Sequence, residues 1–333
     1  MNEKTFHSRR RVLTALAAAA CASGFAGLGP MRSAVAKAAA SGKLPVRWVP
    51  GMELYTLGLK PTDDIAAAFK ALAALGYREV EFSGHYDRSF VELKRALDHA
   101  RLTGPALHAL PRPAKGAWDL TGDLSKFAAD AKTLGVSFVV VSIPLLPDRI
   151  YDVLKNPPQG FDVAAASRLF ASLEADDWKR TADLLNEKGA VLAKHGLRLA
   201  YHNHGVDFLA LPGNTNGFRL LVERTDPKLV SFELDVGWAV SAGQELPPLF
   251  RLLGERIRLL HLKDTKRLSI SVMELASTDA GTGIVKWNEV VDFVRRSPVE
   301  HMFVEQEEPF PTTPVDAAKI DYEFFTQLFA GGK

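Results

Sequence analysis

Four apolar, strand-like runs each carry, at or near their carboxyl end, a side chain able to bind a metal: Leu199-Ala-Tyr-His-Asn-His204, Val230-Ser-Phe-Glu-Leu-Asp235, Ile257-Arg-Leu-Leu-His261 and Met302-Phe-Val-Glu305. From His202 through Asp235 and His261 to Glu305, the successive gaps are 33, 26 and 44 residues. Imidazole and carboxylate in one set suit a catalytic divalent ion with open positions better than a closed structural site. The chemistry expected is Lewis-acid activation of a small oxygen-rich substrate, with neighbouring side chains moving protons.

Such ligands converge only if consecutive strands run parallel and end at one mouth. One βα unit of a (β/α)8 barrel takes about 31 residues, close to these gaps. Strand-like and helix-period segments alternate along the chain, which favours a parallel α/β fold. The expected strands are Val46–Tyr55, Tyr77–Phe82, Gly104–His108 and Val136–Ser142, followed by the four ligand runs. Helices are expected over Pro61–Leu75, Ser89–Ala100, Ser125–Leu134, Trp178–His195, Asn216–Arg224, Leu246–Leu253 and Trp287–Arg296, with Asp316–Phe329 closing the barrel. Pro144–Ala175 interrupts the rhythm with four prolines and Gly160, and reads as a long loop excursion. The fold class is therefore α/β, a (β/α)8 TIM barrel over residues 37–333 as one domain.

The first 36 residues read as a twin-arginine signal peptide: Arg9-Arg10-Arg11, an Ala/Gly-rich apolar core, and Ala34-Val35-Ala36 as a cleavage site. Periplasmic localisation is the expectation, with no membrane attachment after cleavage. The segment carries Lys4, Arg9, Arg10, Arg11 and Arg32 against Glu3, so a chain of net charge +2 becomes mildly acidic without it. That balance speaks against a nucleic-acid partner. Cys21, the only cysteine, leaves with the segment, which removes disulfide and thiol chemistry. No Walker loop or convincing G-x-G-x-x-G motif indicates a nucleotide.

Other residues fall near the same mouth. Glu81 on the second strand and His108 on the third are candidate substrate contacts. Trp238 is a candidate stacking surface for a sugar face, and Lys263 a candidate to polarise a substrate oxygen. Lys263 and Asp264 also read as a salt bridge, and Asp235 alternatively as a helix cap. Glu307 and Glu308 read as loop charges facing solvent. Gly281-Thr-Gly283 reads as a tight turn.

Taken together, Glu53-Leu-Tyr-Thr56, Glu79-Val-Glu-Phe-Ser83, Gly196-Leu-Arg-Leu-Ala-Tyr-His-Asn-His204, Glu233-Leu-Asp-Val-Gly-Trp238, His261-Leu-Lys-Asp264, Gly281-Thr-Gly283 with Trp287, and Phe303-Val-Glu-Gln306 resemble the xylose-isomerase-like barrel superfamily, in its sugar phosphate isomerase/epimerase group. The resemblance implies one divalent ion, manganese first, with cobalt, magnesium or zinc as alternatives. It assigns Asp235, His261 and Glu305 to three ligand positions and favours His202 for the fourth, leaving His204, Glu305 and Lys263 as catalytic groups. It also implies an acid near substrate at Asp207. Epimerases of this type usually carry a glutamate where His202 stands, whereas inosose dehydratases share a histidine-rich fifth strand. The implied activity is isomerisation or epimerisation of a free sugar, keto-sugar or cyclic polyol, with a dehydratase or 3-keto-glycoside lyase as the alternative. A phosphodiester hydrolase or a non-catalytic sugar-binding barrel ranks below both. The partner is a small sugar or polyol; self-association into a homo-oligomer is left open.

Overall fold

A computed structural model of the protein describes residues 48–269 and 274–331. Eight strands form the framework: β1 (Gly51–Glu53), β2 (Glu79–Phe82), β3 (Thr103–Leu110), β4 (Phe138–Val141), β5 (Arg198–His202), β6 (Val230–Asp235), β7 (Ile257–Leu262) and β8 (His301–Val304). Each pairs in parallel with its chain neighbour, β8 returns to β1, and the sheet closes as a barrel. The expected α/β barrel is the observed fold. The signal segment and its cleavage site lie outside the described residues. Among the described residues, no helix is long and apolar enough to cross a membrane.

The connecting helices begin and end where local chemistry dictates. Helix α1 (Ile65–Leu75) starts four residues later than expected because Asp64 caps it, its Oδ1 accepting from Ala67 N at 3.0 Å. It stops at Gly76, whose φ of 118° suits glycine. Helix α2 (Phe90–Ala100) opens with a capping box between Ser89 and Glu92. Helix α3 (Leu124–Leu134) follows as expected. The Pro-rich excursion is not a structureless loop: it contains α4 (Asp148–Lys155) and α5 (Val163–Phe170). Prolines 147, 157 and 158 bound these helices rather than interrupting them, and Ile150, Leu154, Ala166 and Phe170 bury one face of each. Helix α6 (Ala175–Lys194) precedes β5, and α7 (Gly217–Arg224) precedes β6. After β6 come α8 (Val236–Ser241) and α9 (Leu246–Leu253); α10 (Trp287–Val294) precedes β8 and α11 (Pro314–Gly331) ends the described chain.

The expected first strand is shorter than its apolar run. Glu53 accepts from Tyr55 N at 3.1 Å and turns residues 54–57 into a 3-10 helix. That turn leaves the Glu53 side chain inside the barrel mouth, fully buried.

Alternation with period two sorts the barrel interior into levels. Ala106, Phe138, Val140, Ala200, Leu259 and Phe303 form a closed apolar plug. Phe303 fills the barrel so tightly that a Cβ on Gly51 would lie 2.6 Å from its ring. Towards the amino ends of the strands, Glu300 takes both Arg198 nitrogens at 2.6 and 2.7 Å and also bonds Arg258. Glu79 there bonds His301 at 2.6 Å. The opposite end, where the strands finish, carries the acids and histidines.

Candidate active site

The register sets the site. His202 on β5 is level with Glu233 on β6, and Asp235 on β6 is level with His261 on β7. Residues two apart on a strand face the same way, so Glu233 and Asp235 both enter the barrel, one level apart. His261 lies at the centre. Its Nδ1 is 2.6 Å from Glu305 Oε2, and its Nε2 is 2.6 Å from Glu81 Oε2 and 3.2 Å from Glu233 Oε2.

One Asp235 oxygen fills the capping role and the other faces the site. Its Oδ1 caps α8, accepting from Trp238 N at 2.7 Å. Its Oδ2 is buried with no hydrogen-bond partner, 3.1 Å from Lys263 Nζ and 3.8 Å from His261 Nδ1. Donor atoms of Asp235, His261 and Glu305 lie within 4.8 Å of one another. One imidazole and two carboxylates, one with an oxygen that accepts no hydrogen bond, fit a divalent ion. His202 stands beside this trio: its Nε2 is 4.0 Å from Asp235 Oδ2, while its Nδ1 meets Glu233 Oε2 at 3.1 Å. It therefore groups with His108, Glu233 and His261 as well as flanking the trio. A donor bond from Nδ1 to Glu233 leaves Nε2 as the free lone pair.

Lys263 is the fixed cation of the site. Its ammonium lies 2.9 Å from Glu305, 3.1 Å from Asp235 and 2.6 Å from Glu307, with only 1% of the side chain exposed. It makes no bridge to Asp264. Asp264 faces the other way and accepts from the backbone of Thr265, Gly281, Gly283 and Val285 and from Trp287 Nε1. That carboxylate ties down the Gly281-Thr-Gly283 turn, which has φ 80° at Gly281. Glu307 likewise differs from the sequence reading: it turns inward to Lys263, whereas Glu308 is exposed.

The remaining candidates sort by their contacts. The His204 ring centre lies 4.8 Å from that of His202 and 5.3 Å from that of Trp238. Trp238 is buried, its Nε1 lacks a partner, and Lys263 Nζ is 5.6 Å from its ring. Asp207 is enclosed, with one oxygen 2.7 Å from the Tyr201 hydroxyl and the other 2.9 Å from His204 N. It thus braces the turn that presents His204. His108 Nε2 sits 3.6 Å from Glu81 and 3.5 Å from Glu233. Glu53 and Glu233 were not singled out from the sequence as site residues. The signal was available for Glu233, two residues before Asp235, but Glu53 depends on how β1 ends.

Burial and charge set the protonation states. Burial pushes His202 down to about 3, helped by His261. Burial also holds His204 well below the usual histidine range, so its ring is neutral near neutral pH. Burial raises Asp235 to about 6 against the pull of Lys263 and His261. Burial would raise Glu305 too, but Lys263 and His261 outweigh it and keep the carboxylate ionised. Burial opposes the Lys263 charge, yet Asp235, Glu305 and Glu307 hold it firmly protonated.

The fold has counterparts. A model described as "xylose isomerase-like TIM barrel" matches residues 69–328, so the chain belongs to that family. Its curated relatives include an inosose dehydratase of Bacillus anthracis (strain CDC 684 / NRRL 3495), 26% identical over 291 residues, covering 81% of this chain and 90% of the relative. Among solved structures, a sugar phosphate isomerase/epimerase from Parabacteroides distasonis ATCC 8503 matches at 23% identity with a TM-score of 0.59, covering 83% and 92% of the two chains. A protein named IolI, solved with a bound zinc atom, matches at 15% identity with a TM-score of 0.58, covering 84% and 97%.

Proposed function

We propose that the protein is a metal-dependent lyase that takes a proton from carbon beside the carbonyl of an inosose or 3-keto-glycoside and expels the β-oxygen. The observation that carries this is the imidazole pair at the end of β5, His202 and His204. An epimerase needs proton-transfer groups on both faces of its substrate, and the superfamily resemblance puts a glutamate on β5 for that purpose. Here β5 ends in His202, bonded to Glu233, and the turn after it presents the neutral His204. Similarity over most of the chain to inosose dehydratases supports the same reading.

Asp235, His261, Glu305 and His202 would hold one divalent ion, manganese first, which would supply Lewis-acid polarisation of the substrate. The chain's own groups do the rest. His204, neutral and braced through Asp207, accepts the proton and passes it to the β-oxygen, which leaves as water or the aglycone hydroxyl. The Lys263 ammonium offsets negative charge growing on the substrate oxygen. Trp238 packs beside both and bounds the sugar-binding space. Isomerisation shares the first step and returns the proton instead of losing the β-oxygen. Incubating manganese-loaded protein with inososes, 3-keto-glycosides and free ketoses, followed by mass spectrometry, separates the two. Loss of water or aglycone supports the lyase; a product of unchanged mass overturns it in favour of isomerisation.

We also propose export of the folded enzyme, which suits a free sugar or glycoside as substrate. Arg9→Lys with Arg10→Lys should hold the precursor in the cytoplasm. Undiminished export of that variant refutes the route.

A further inference from the structure

We propose that Glu307 is a positioning residue for Lys263, the carboxylate that keeps the ammonium paired when Asp235 and Glu305 give their oxygens to a divalent ion. The inference rests on the proposed metal site at Asp235, His261 and Glu305, and explains how that site and a buried lysine can coexist.

Among the described residues, three acids pair with the ammonium, and they differ in what else they can do. Asp235 Oδ2 lies 3.1 Å away, Glu305 Oε2 2.9 Å and Glu307 Oε1 2.6 Å. Asp235 and Glu305 belong with His261 to one group of possible metal donors, and Glu307 does not. In that order the three acid side chains are 0%, 8% and 19% exposed, so Glu307 stands on the solvent side of the cluster. An ion on Asp235 and Glu305 would occupy two of the lysine's three counter-charges and add positive charge beside it. The Lys263 side chain, only 1% exposed, cannot turn to bulk water instead, and a buried charge stripped of its partner is strongly destabilising. Glu307 is the acid left to hold it.

The backbone keeps Glu307 in place. Its N–H donates to Ser277 Oγ at 3.1 Å, and the N–H of Gln306 just before it donates to Thr56 Oγ1 at 3.0 Å. Ser277 belongs to a short antiparallel pair, Asp264–Thr265 with Ser277–Thr278, which begins one residue after Lys263. The same strand pair therefore fixes the main chain beside the lysine and the main chain of its carboxylate. Glu308 carries the same charge one residue further on, but it is exposed, and it serves as the control.

The test is a double-mutant cycle on Mn(II) affinity, read by calorimetric titration of the full chain and independent of turnover. Glu307→Gln should weaken Mn(II) binding by about 10–100-fold, the worth of one hydrogen bond to a charged group. Glu308→Gln should leave the affinity near native. In a Lys263→Met background, Glu307→Gln should have little effect, because no ammonium then needs a partner. Equal weakening in both backgrounds means that Glu307 acts on the metal site without Lys263, and overturns the inference. Native affinity in Glu307→Gln overturns it too, and both results leave the metal site itself standing. A loss in Glu308→Gln as large as that in Glu307→Gln also overturns it, since a diffuse negative field would then account for both. A native chain that takes up no Mn(II) overturns the proposed metal site, and this inference with it.

Discussion

The Lys263 ammonium stands 3.1 Å from Asp235 Oδ2, so it would compete with a divalent ion for the same carboxylate. The two residues sit on β6 and just past β7, and Glu305 joins them from the end of β8 at 2.9 Å from the ammonium. In the proposed reaction, metal binding and catalysis would pull on Lys263 in opposite directions: its charge would weaken the metal site and strengthen the handling of substrate charge.

Lys263→Met should therefore bind Mn(II) at least as tightly as the native chain while kcat falls by about 10²–10³-fold, the usual loss for one oxyanion-stabilising group. Calorimetric titration and steady-state kinetics on the same preparation check this. Weaker metal binding in the variant would mean that Lys263 organises Asp235 and Glu305 rather than competing for them.

The two histidines at the end of β5 should separate by phenotype. His204→Gln should keep its metal and lose about 10²–10⁴-fold in kcat, the worth of a positioned acid or base. His202→Gln should lose metal and activity together, because its Nε2 faces Asp235. Metal content and kcat measured for both variants decide the assignment. Near-native values in both would reduce the pair to polar packing.

Gly237 couples the fold to Lys263. A Cβ there would lie 2.6 Å from the Lys263 carbonyl oxygen and 3.0 Å from its Cβ. Gly237→Ala gains roughly 1 kcal/mol in helix propensity, but the contact is with backbone, and overpacking costs about 1–3 kcal/mol. We expect a lower thermal midpoint together with a fall in kcat as Lys263 shifts. A midpoint equal to or above the native one contradicts the close approach of α8 to the end of β7.

Asp321 on α11 should make stability depend on pH. Its carboxyl accepts from Ala280 N at 2.7 Å, and burial, aided by Asp279 and Asp264, raises it to about 7. Between the ordinary value near 3.8 and about 7, the unfolded chain has lost this proton while the folded chain keeps it. The folded state then binds more protons, so stability falls as pH rises through this window and levels off above it. Asp321→Asn should flatten that part of the profile, read from denaturant midpoints between about pH 4 and 8. An unchanged slope would place the pH dependence elsewhere.

The sequence by itself pointed to the barrel, because apolar strand-like runs alternate with helix-period segments and the ligand-bearing runs recur at about one βα unit. It also marked Asp235, His261 and Glu305, since a charged or ionisable side chain at the end of an apolar strand announces the barrel mouth. Local signals could not go further. Register alone decided that His202 meets Glu233 while Asp235 meets His261. The 3-10 turn after β1 decided that Glu53 faces inward. The ordering of the Gly281–Gly283 turn decided that Asp264 is a structural anchor and leaves Lys263 alone among the acids. Glu307 looked like any loop acid until β8 brought it to Lys263. Which charges share one small volume is a property of barrel closure, and closure joins residues that may stand 180 or more positions apart, as Glu81 and His261 do.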